Sequence, residues 1–348
     1  MTHWKLALIG FGNVGRALAE LLAKKREEIR HNYGITYSVT GIATGSHGTA
    51  IDPNGIFMER ALEIVASHGH DGNQKLTDLS STLPPVNTPD FIRQCDADVL
   101  FENSPVNYDT GQPAVDHIRL AIQRGMHVVT ANKGPVVHAY HELAGLARDK
   151  GVKFYFESAV MDGAPVFAVF RETLPAAQLL SLRGVLNSTT NMILTQMEHG
   201  MEFEDAVAHT QQIGIAETDP SGDIDGWDAS VKVAALVTVL MGIPLKPQDV
   251  DRVGIRGITK AEIENAHQRG KRWKLACSAR RERDGVTARV APEMVGQDSP
   301  LYQVNGTTSL IQFESDVLGK LTIIEEDPGP GTTAYGCLAD FLNIARLY

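Results

Sequence analysis

The chain has 348 residues, 43% hydrophobic and 21% charged, with 32 basic against 42 acidic side chains and a formal charge of -10. That length exceeds one ordinary domain and favours two domains sharing a cleft, and the negative charge argues against nucleic acid or an anionic membrane as a partner, which leaves small-molecule chemistry. Three cysteines, Cys95, Cys277 and Cys337, stand far apart with no C-x-x-C pair, so neither a disulfide framework nor a zinc knuckle is expected and a reducing cytoplasm fits.

The first residues, M-T-H-W-K-L-A-L-I-G, lack the long apolar core of a signal peptide, and no stretch reaches the ~18 uninterrupted apolar residues of a membrane span. Residues 4–9 form a short apolar run. Gly10-Phe11-Gly12-Asn13-Val14-Gly15 follows at once and opens a helical stretch over residues 16–29. Strand, glycine turn and helix in that order let backbone N–H groups and a helix N-terminus hold a pyrophosphate; the alternative is a tight turn that only packs helix on strand. A second strand is predicted over residues 38–43. At its end an acid would hold the ribose hydroxyls of NAD, but Thr44, Gly45, Ser46 and His47 stand there. With no acid to repel a 2'-phosphate and no arginine to clamp one, the preference leans to NADP and leaves NAD or dual use open.

The stretch His68-Gly69-His70-Asp71 reads as a polar loop rather than a metal site, and His138 and His141, with Glu142 nearby, as a solvated helix face. Residues 98–102 form the next strand, ending in Asn103-Ser104-Pro105; residues 113–124 a helix; and residues 127–130 a strand ending in T-A-N-K-G-P. This alternation predicts a Rossmann-type, doubly wound parallel sheet, with the cofactor outside the carboxyl ends of the strands. Asn103, Ser104, Pro105, Thr130 and Lys133 occupy those ends. Lys133 therefore stands where a nicotinamide and a substrate would meet, unless it merely caps a strand.

A helix over 137–150 and a strand over 152–157 lead out of this domain into the turn S-A-V-M-D-G-A-P. Asn187, Ser188, Thr189, Thr190 and Asn191 cluster between apolar runs, suited to a small polar ligand or to an ordinary turn. An amphipathic helix over 204–213 then brings in the stretch on which the chain is organised, G-I-A-E-T-D-P-S-G-D-I-D-G-W-D-A-S-V-K from Gly214 to Lys232. Its five carboxylates, Glu217, Asp219, Asp223, Asp225 and Asp228, feed an apolar helix over 229–245 in which Lys232 is the only charge. An unpartnered ammonium among apolar side chains costs several kcal/mol. Lys232 thus needs a partner or a task, and Asp228, four residues back, shares its helix face. The plainer alternative is a lysine whose stem lies on the core while its head reaches water. Beyond Pro247 come a helical stretch and a hairpin with Asp284-Gly285 at its turn, which predict a second sheet. Residues 334–347 look helical and return to the first domain. The fold is thus α/β, with a dinucleotide-binding domain over 1–135 plus about 326–348 and a second, α+β domain over 136–325.

Taken together, G-F-G-N-V-G, T-A-N-K-G-P, F-E-S-A-V-M-D-G-A-P, G-V-L-N-S-T-T-N-M-I-L-T and the acidic loop ending in Lys232 resemble the homoserine dehydrogenase family, in its short form without a C-terminal regulatory domain. The resemblance implies reversible NAD(P)-dependent reduction of aspartate semialdehyde to homoserine, on the route to threonine, methionine and isoleucine. It implies that Lys133 and Lys232 are the active-site lysines, and that Glu217 and Asp228 receive the substrate's ammonium group, with Thr189 and Asp223 beside them. It also implies a monovalent cation such as sodium near Glu157 and the backbone of Val160, Asp162 and Ala164, and a homodimer formed through the second, substrate-binding domain. Three departures stand out: Ser188 where the family usually has glycine, Asp162 in a turn usually built of small residues, and Asp327-Pro328-Gly329-Pro330-Gly331-Thr332 in place of a G-A-G loop. Two other classes remain open: an aspartate-semialdehyde dehydrogenase, which needs an activated cysteine, and a nucleotide-binding protein without catalysis.

Overall fold

The computed structural model describes residues 1–66 and 75–347; the stretch His68-Gly69-His70-Asp71, expected to be a polar loop, lies outside them. The chain divides into two compact units, Met1–Pro165 with Gly329–Tyr348, and Val166–Pro328.

The first unit runs β1 (Thr2–Ile9), α1 (Asn13–Tyr33), β2 (Ile35–Ala43), β3 (Thr49–Ile51), α2 (Met58–Ala66), α3 (Thr88–Gln94), β4 (Val99–Glu102), α4 (Ala114–Gln123), β5 (His127–Thr130), α5 (Lys133–Asp149) and β6 (Phe154–Tyr155). Its sheet has the order β3-β2-β1-β4-β5-β6, parallel except for β3 at one edge. Strands β4 and β5 are short and buried along their whole length, as a parallel sheet covered on both faces requires. Leu6 and Leu8 of β1 pack with Leu18 and Leu22 of α1 in one apolar cluster. Helix α5 begins at Lys133, four residues earlier than predicted. Gly134 and Pro135 fall in its first turn, where backbone N–H groups have no helical partner and a proline costs nothing, and Asn132 caps that turn. The strand predicted over 152–157 is cut to two residues, because the N–H of Glu157 goes to the Asp340 carboxylate at 2.7 Å instead of to a neighbouring strand. Since β6 still pairs with Val128 and Val129, the first unit extends to Pro165 and not to residue 135.

The second unit holds β7 (Leu179–Val185), α6 (Ser188–Glu198), α7 (Phe203–Gln212), α8 (Trp227–Leu236), β8 (Asp251–Arg252), α9 (Lys260–Gln268), β9 (Lys271–Glu282), β10 (Gly285–Gly296), β11 (Ser309–Ser315) and β12 (Gly319–Glu325). The sheet order is β12-β11-β7-β9-β10-β8, antiparallel except where β8 joins β10. The hairpin turn consists of Arg283 and Asp284, one residue earlier than predicted, because Gly285 already pairs with Glu282. The apolar helix winds from Trp227 through a wider π-type turn at Val237–Met241 and stops at Gly242, whose φ of 67° is left-handed. The last helix, α10 (Pro330–Ala345), rejoins the first unit, where Phe341 packs edge-on against Trp4, Tyr37 and Phe101.

One cation in the second unit is fully enclosed. Lys274 on β9 is 0% exposed and gives an N–H to Asn191 Oδ1 at 3.1 Å. Burial pushes its ammonium down to about 8; nearby Glu198 opposes that shift and Arg272 adds to it. An unfolded lysine, near 10.5, binds a proton that the folded one has lost between those values, so stability rises with pH across that window. Denaturant titrations should show wild type gaining a few kcal/mol on Lys274→Met between pH 8 and 10.5, and a constant difference below pH 8.

Candidate active site

The glycine turn after β1 is shaped by what it must avoid. Gly10 has φ 86°, and a Cβ there would stand 2.2 Å from the Asn103 carbonyl oxygen; a Cβ on Gly15 would stand 2.4 Å from the oxygen of Gly10. Both glycines are required by close backbone approach within the unit. Gly12 differs: nothing lies within 4 Å of the Cβ it lacks. It is the N-cap of α1 with no side chain closing the first turn, so the turn's N–H groups face open space of the kind a pyrophosphate fills. The Phe11 side chain is buried and Val14 packs on the same apolar cluster, so these two can meet a ligand only through backbone. Asn13 accepts a hydrogen bond from Arg16 at 2.8 Å.

Across the sheet, Asn103 accepts from the N–H of Ala131 at 3.2 Å, while its Nδ2 is buried with no partner. An unused buried donor at the carboxyl end of a parallel strand fits a dinucleotide at that edge. Thr130 is fully buried and turns inward, its hydroxyl on the Glu102 carbonyl, and Pro105 is exposed. After β2, Thr44 closes the turn by receiving the N–H of His47 at 2.8 Å, and Ser46 Oγ lies 2.8 Å from the His47 ring. No carboxylate stands in that turn.

The second unit gathers charge. Lys232 Nζ lies 3.0 Å from Asp228 Oδ2 and donates to the Leu186 carbonyl at 2.6 Å, with the lysine side chain only 14% exposed. Asn187 joins this pair to a second acid: its Nδ2 donates to Asp228 Oδ2 at 3.0 Å and to Asp223 Oδ1 at 2.6 Å. Its Oδ1 accepts from the N–H and the hydroxyl of Thr190, both at 2.8 Å, which caps α6 and fixes the orientation of the amide. Burial pushes Asp223 above the usual carboxylate range, the Asp228 charge adds to this, and Asn187, Lys232 and the Thr189 hydroxyl hold it back. The family resemblance named Asp223, Asp228, Thr189 and Lys232 together, and the structure brings these four side chains into one group. The sequence pattern missed Asn187 as the bridge, although an asparagine directly before a helical run is an N-cap signal. Glu217 is exposed on the loop, where its carbonyl receives Gln211, and its carboxylate lies outside the hydrogen-bonded group.

In the turn read as a cation site, Glu157 is buried and Asp162, at φ 36°, accepts the Thr332 hydroxyl at 3.2 Å. Among the described residues no three acidic, histidine or cysteine side chains group as metal ligands. The three cysteines are buried, and burial pushes each thiol up to about 12. None is the activated thiolate that a semialdehyde-acylating mechanism requires. His138 binds the Tyr108 carbonyl and Glu142 pairs with Arg119, as a surface helix does.

A dinucleotide cradle in one unit and an enclosed lysine–carboxylate cluster in the other define a nicotinamide-nucleotide oxidoreductase. Residues 10–157 match the model of the homoserine dehydrogenase NAD-binding domain and residues 165–342 that of homoserine dehydrogenase. The chain is 35% identical to an NAD(+)-dependent homoserine dehydrogenase of Pseudomonas canavaninivorans, over 99% of this chain and 97% of that one. With the homoserine dehydrogenase of Methanocaldococcus jannaschii it shares 37% over 97% and 98%. Among solved structures, a putative homoserine dehydrogenase from Archaeoglobus fulgidus superimposes with a TM-score of 0.84 at 31% identity, over 98% of this chain and 99% of that one. A hyperthermophilic archaeal homoserine dehydrogenase in complex with NADPH gives 0.83 at 29%, over 100% and 99%. The chain belongs to the homoserine dehydrogenase family. It is an NAD(P)-dependent oxidoreductase acting on a CH–OH group.

The Asn187 bridge makes a checkable demand. Asn187→Asp replaces the donor between two carboxylates with a third acid, whose folded pKa must rise above its unfolded value. Its stability is then intact below the unfolded pKa and lost as pH rises. Thermal unfolding should show Asn187→Asp near wild type at pH 4 and lower by several degrees at pH 7; an equal deficit at both values would refute the bridge.

Proposed function

We propose that this chain's homoserine dehydrogenase reaction, the reversible reduction of L-aspartate 4-semialdehyde to L-homoserine, places the substrate amino acid at the Asp223–Asn187–Asp228–Lys232 cluster. The carrying observation is that a lysine enclosed on an apolar helix stands 3.0 Å from one carboxylate while an asparagine ties that carboxylate to another. Asp228, with Asp223 and Thr189 behind it and Glu217 from the exposed loop, receives the substrate ammonium. The Lys232 ammonium has three N–H groups. Two point to Asp228 and to the Leu186 carbonyl, which leaves one for the oxygen of the former aldehyde. Reduction turns that oxygen into an alkoxide, and Lys232 delivers its proton; in the reverse direction the neutral amine takes the hydroxyl proton. Lys133 stabilises the developing oxyanion or shares the transfer.

The nicotinamide supplies hydride to the carbonyl carbon and takes it back in the reverse reaction. Gly10, Phe11, Gly12, Asn13, Val14 and Gly15 hold the pyrophosphate through backbone N–H groups, Asn103, Ser104, Pro105 and Thr130 line the nicotinamide side, and Thr44 and Ser46 face the adenosine ribose. With no acid after β2 to repel a 2'-phosphate, NADP is the preferred cofactor. The backbone of Val160, Asp162 and Ala164, with buried Glu157, offers the oxygen ligands a monovalent cation takes. Two such chains pair through the substrate-binding unit, whose sheet turns Arg183, Arg280 and Arg289 to solvent, and the dimer works in the cytoplasm; among the described residues no helix is long and apolar enough to cross a membrane.

The direct test is NADPH oxidation with aspartate semialdehyde, repeated with NADH. Lys232→Ala and Lys133→Ala should each lower kcat by about 100-fold or more, the scale of a lost general acid, with Lys232→Ala also lowering the thermal midpoint because it leaves the buried Asp228 without its ion pair; near-normal turnover in either would remove that lysine from the mechanism.

A further inference from the structure

At the carboxyl end of β4, Glu102 is 0% exposed. A carboxylate taken wholly out of water is costly unless donors surround it, and three do. The Ser104 hydroxyl donates to Oε1 in a short hydrogen bond, Asn132 Nδ2 reaches Oε2 at 3.4 Å, and His117 Nδ1 lies 3.3 Å from Oε1. Since a carboxylate only accepts, that ring nitrogen carries its hydrogen.

These donors belong to three different pieces of chain. Ser104 sits in the turn after β4, His117 on α4, and Asn132 is the N-cap that starts α5 at Lys133. Asn132 is committed on every side, donating also to the Ser104 carbonyl at 3.1 Å and accepting from the N–H of Gly134 at 3.0 Å. The two turns meet again further out, where a Cβ on Gly134 would fall 2.8 Å from the Cα of Gly111 and 3.1 Å from the Asn107 oxygen. With so little clearance, a shift in one turn moves the other.

We propose that Glu102 is a positioning residue for the reaction: its carboxylate, backed by His117, locks the Ser104 turn to the Asn132 turn and so sets where Lys133 leaves the sheet. A neutral side chain of the same shape would link strand to turn for structural purposes alone. Only an acid can take three donors from three segments at once. The proposal rests on the role given above to Lys133.

The experiment compares Glu102→Gln, Lys133→Ala and the double variant for kcat, KM and thermal midpoint. Glu102→Gln should fold with a midpoint near wild type and lose about tenfold in kcat with little change in KM for aspartate semialdehyde, the signature of an interaction made only in the transition state. In the Lys133→Ala background the same change should cost less than about twofold, because residues acting as a unit are not additive. A kcat within about twofold of wild type in Glu102→Gln while Lys133→Ala is inactive, or full additivity in the double variant, overturns the proposal alone. Near-normal activity in Lys133→Ala overturns the role beneath it. If Glu102→Gln does not fold, His117→Gln carries the test, with about a threefold loss of kcat at an unchanged midpoint expected and no loss overturning the proposal.

Discussion

An ammonium held inside an apolar helix is the constraint from which the second unit follows. Lys232 sits one turn into α8 among Val231, Val233, Ala234 and Ala235, all buried, so its charge must be met locally. Asp228 meets it from the preceding turn, at the helix end where the backbone dipole also favours an acid. The Leu186 carbonyl, between the end of β7 and the Asn187 cap of α6, also receives it. That second contact obliges β7 to end where it does and α6 to begin at Ser188, with Asn187 between them as cap and bridge. A change of helix register would break all of these bonds at once.

The two units solve opposite electrostatic problems. The first offers uncapped N–H groups at a glycine turn, an unused buried amide donor on Asn103, and the Arg16 guanidinium bonded to the Gly12 carbonyl and Asn13. In the second, full charges of both signs stand together, the Lys232 ammonium forming an enclosed ion pair with Asp228 at 3.0 Å. Asn187 shares Asp228 with the lysine and adds Asp223 to the group. Asp223 is raised in consequence, first by its burial and then by the charge of Asp228 held on the same donor.

Most of the architecture was legible because it is written in period and punctuation. The strand–glycine–helix opening, the alternating elements and the polar stretch before each strand's crossover fix a doubly wound sheet locally. What could not be read belongs to contacts far apart in sequence. The shortening of β6 is decided by Asp340, 183 residues away. The hairpin turn is set one residue earlier by pairing register rather than by turn preference. In the candidate site, the pairing of Lys232 with Asp228 was visible as a four-residue spacing, whereas Asn187 lies 36 and 41 residues from the acids it joins and looked like part of a turn. Glu102 was visible as a strand end but not as an anchor, since two of its three donors lie 15 and 30 residues on and Ser104 alone is local.

The departures from the family pattern are best understood as pairs. Asp162 adopts a left-handed φ of 36°, which costs a non-glycine residue about 1 kcal/mol. In return its carboxylate accepts the hydroxyl of Thr332, in the first turn of α10, where the altered stretch enters the helix. Thr332 also receives the N–H of Gly329 at 2.8 Å, so a single hydroxyl closes the loop on itself and onto the turn. The contact is tight: a Cβ on Gly163 would lie 2.6 Å from the Thr332 oxygen, and one on Gly336 would lie 2.7 Å from the oxygen of Asp162. One hydrogen bond thus joins two of the departures across 170 residues of sequence. Ser188 needs no such partner. It is the first residue of α6, after a cap that is already satisfied, and a serine there disturbs none of the hydrogen bonds of Asn187. The three changes therefore leave the carboxylate cluster as it is, and act on the loop that leads into α10.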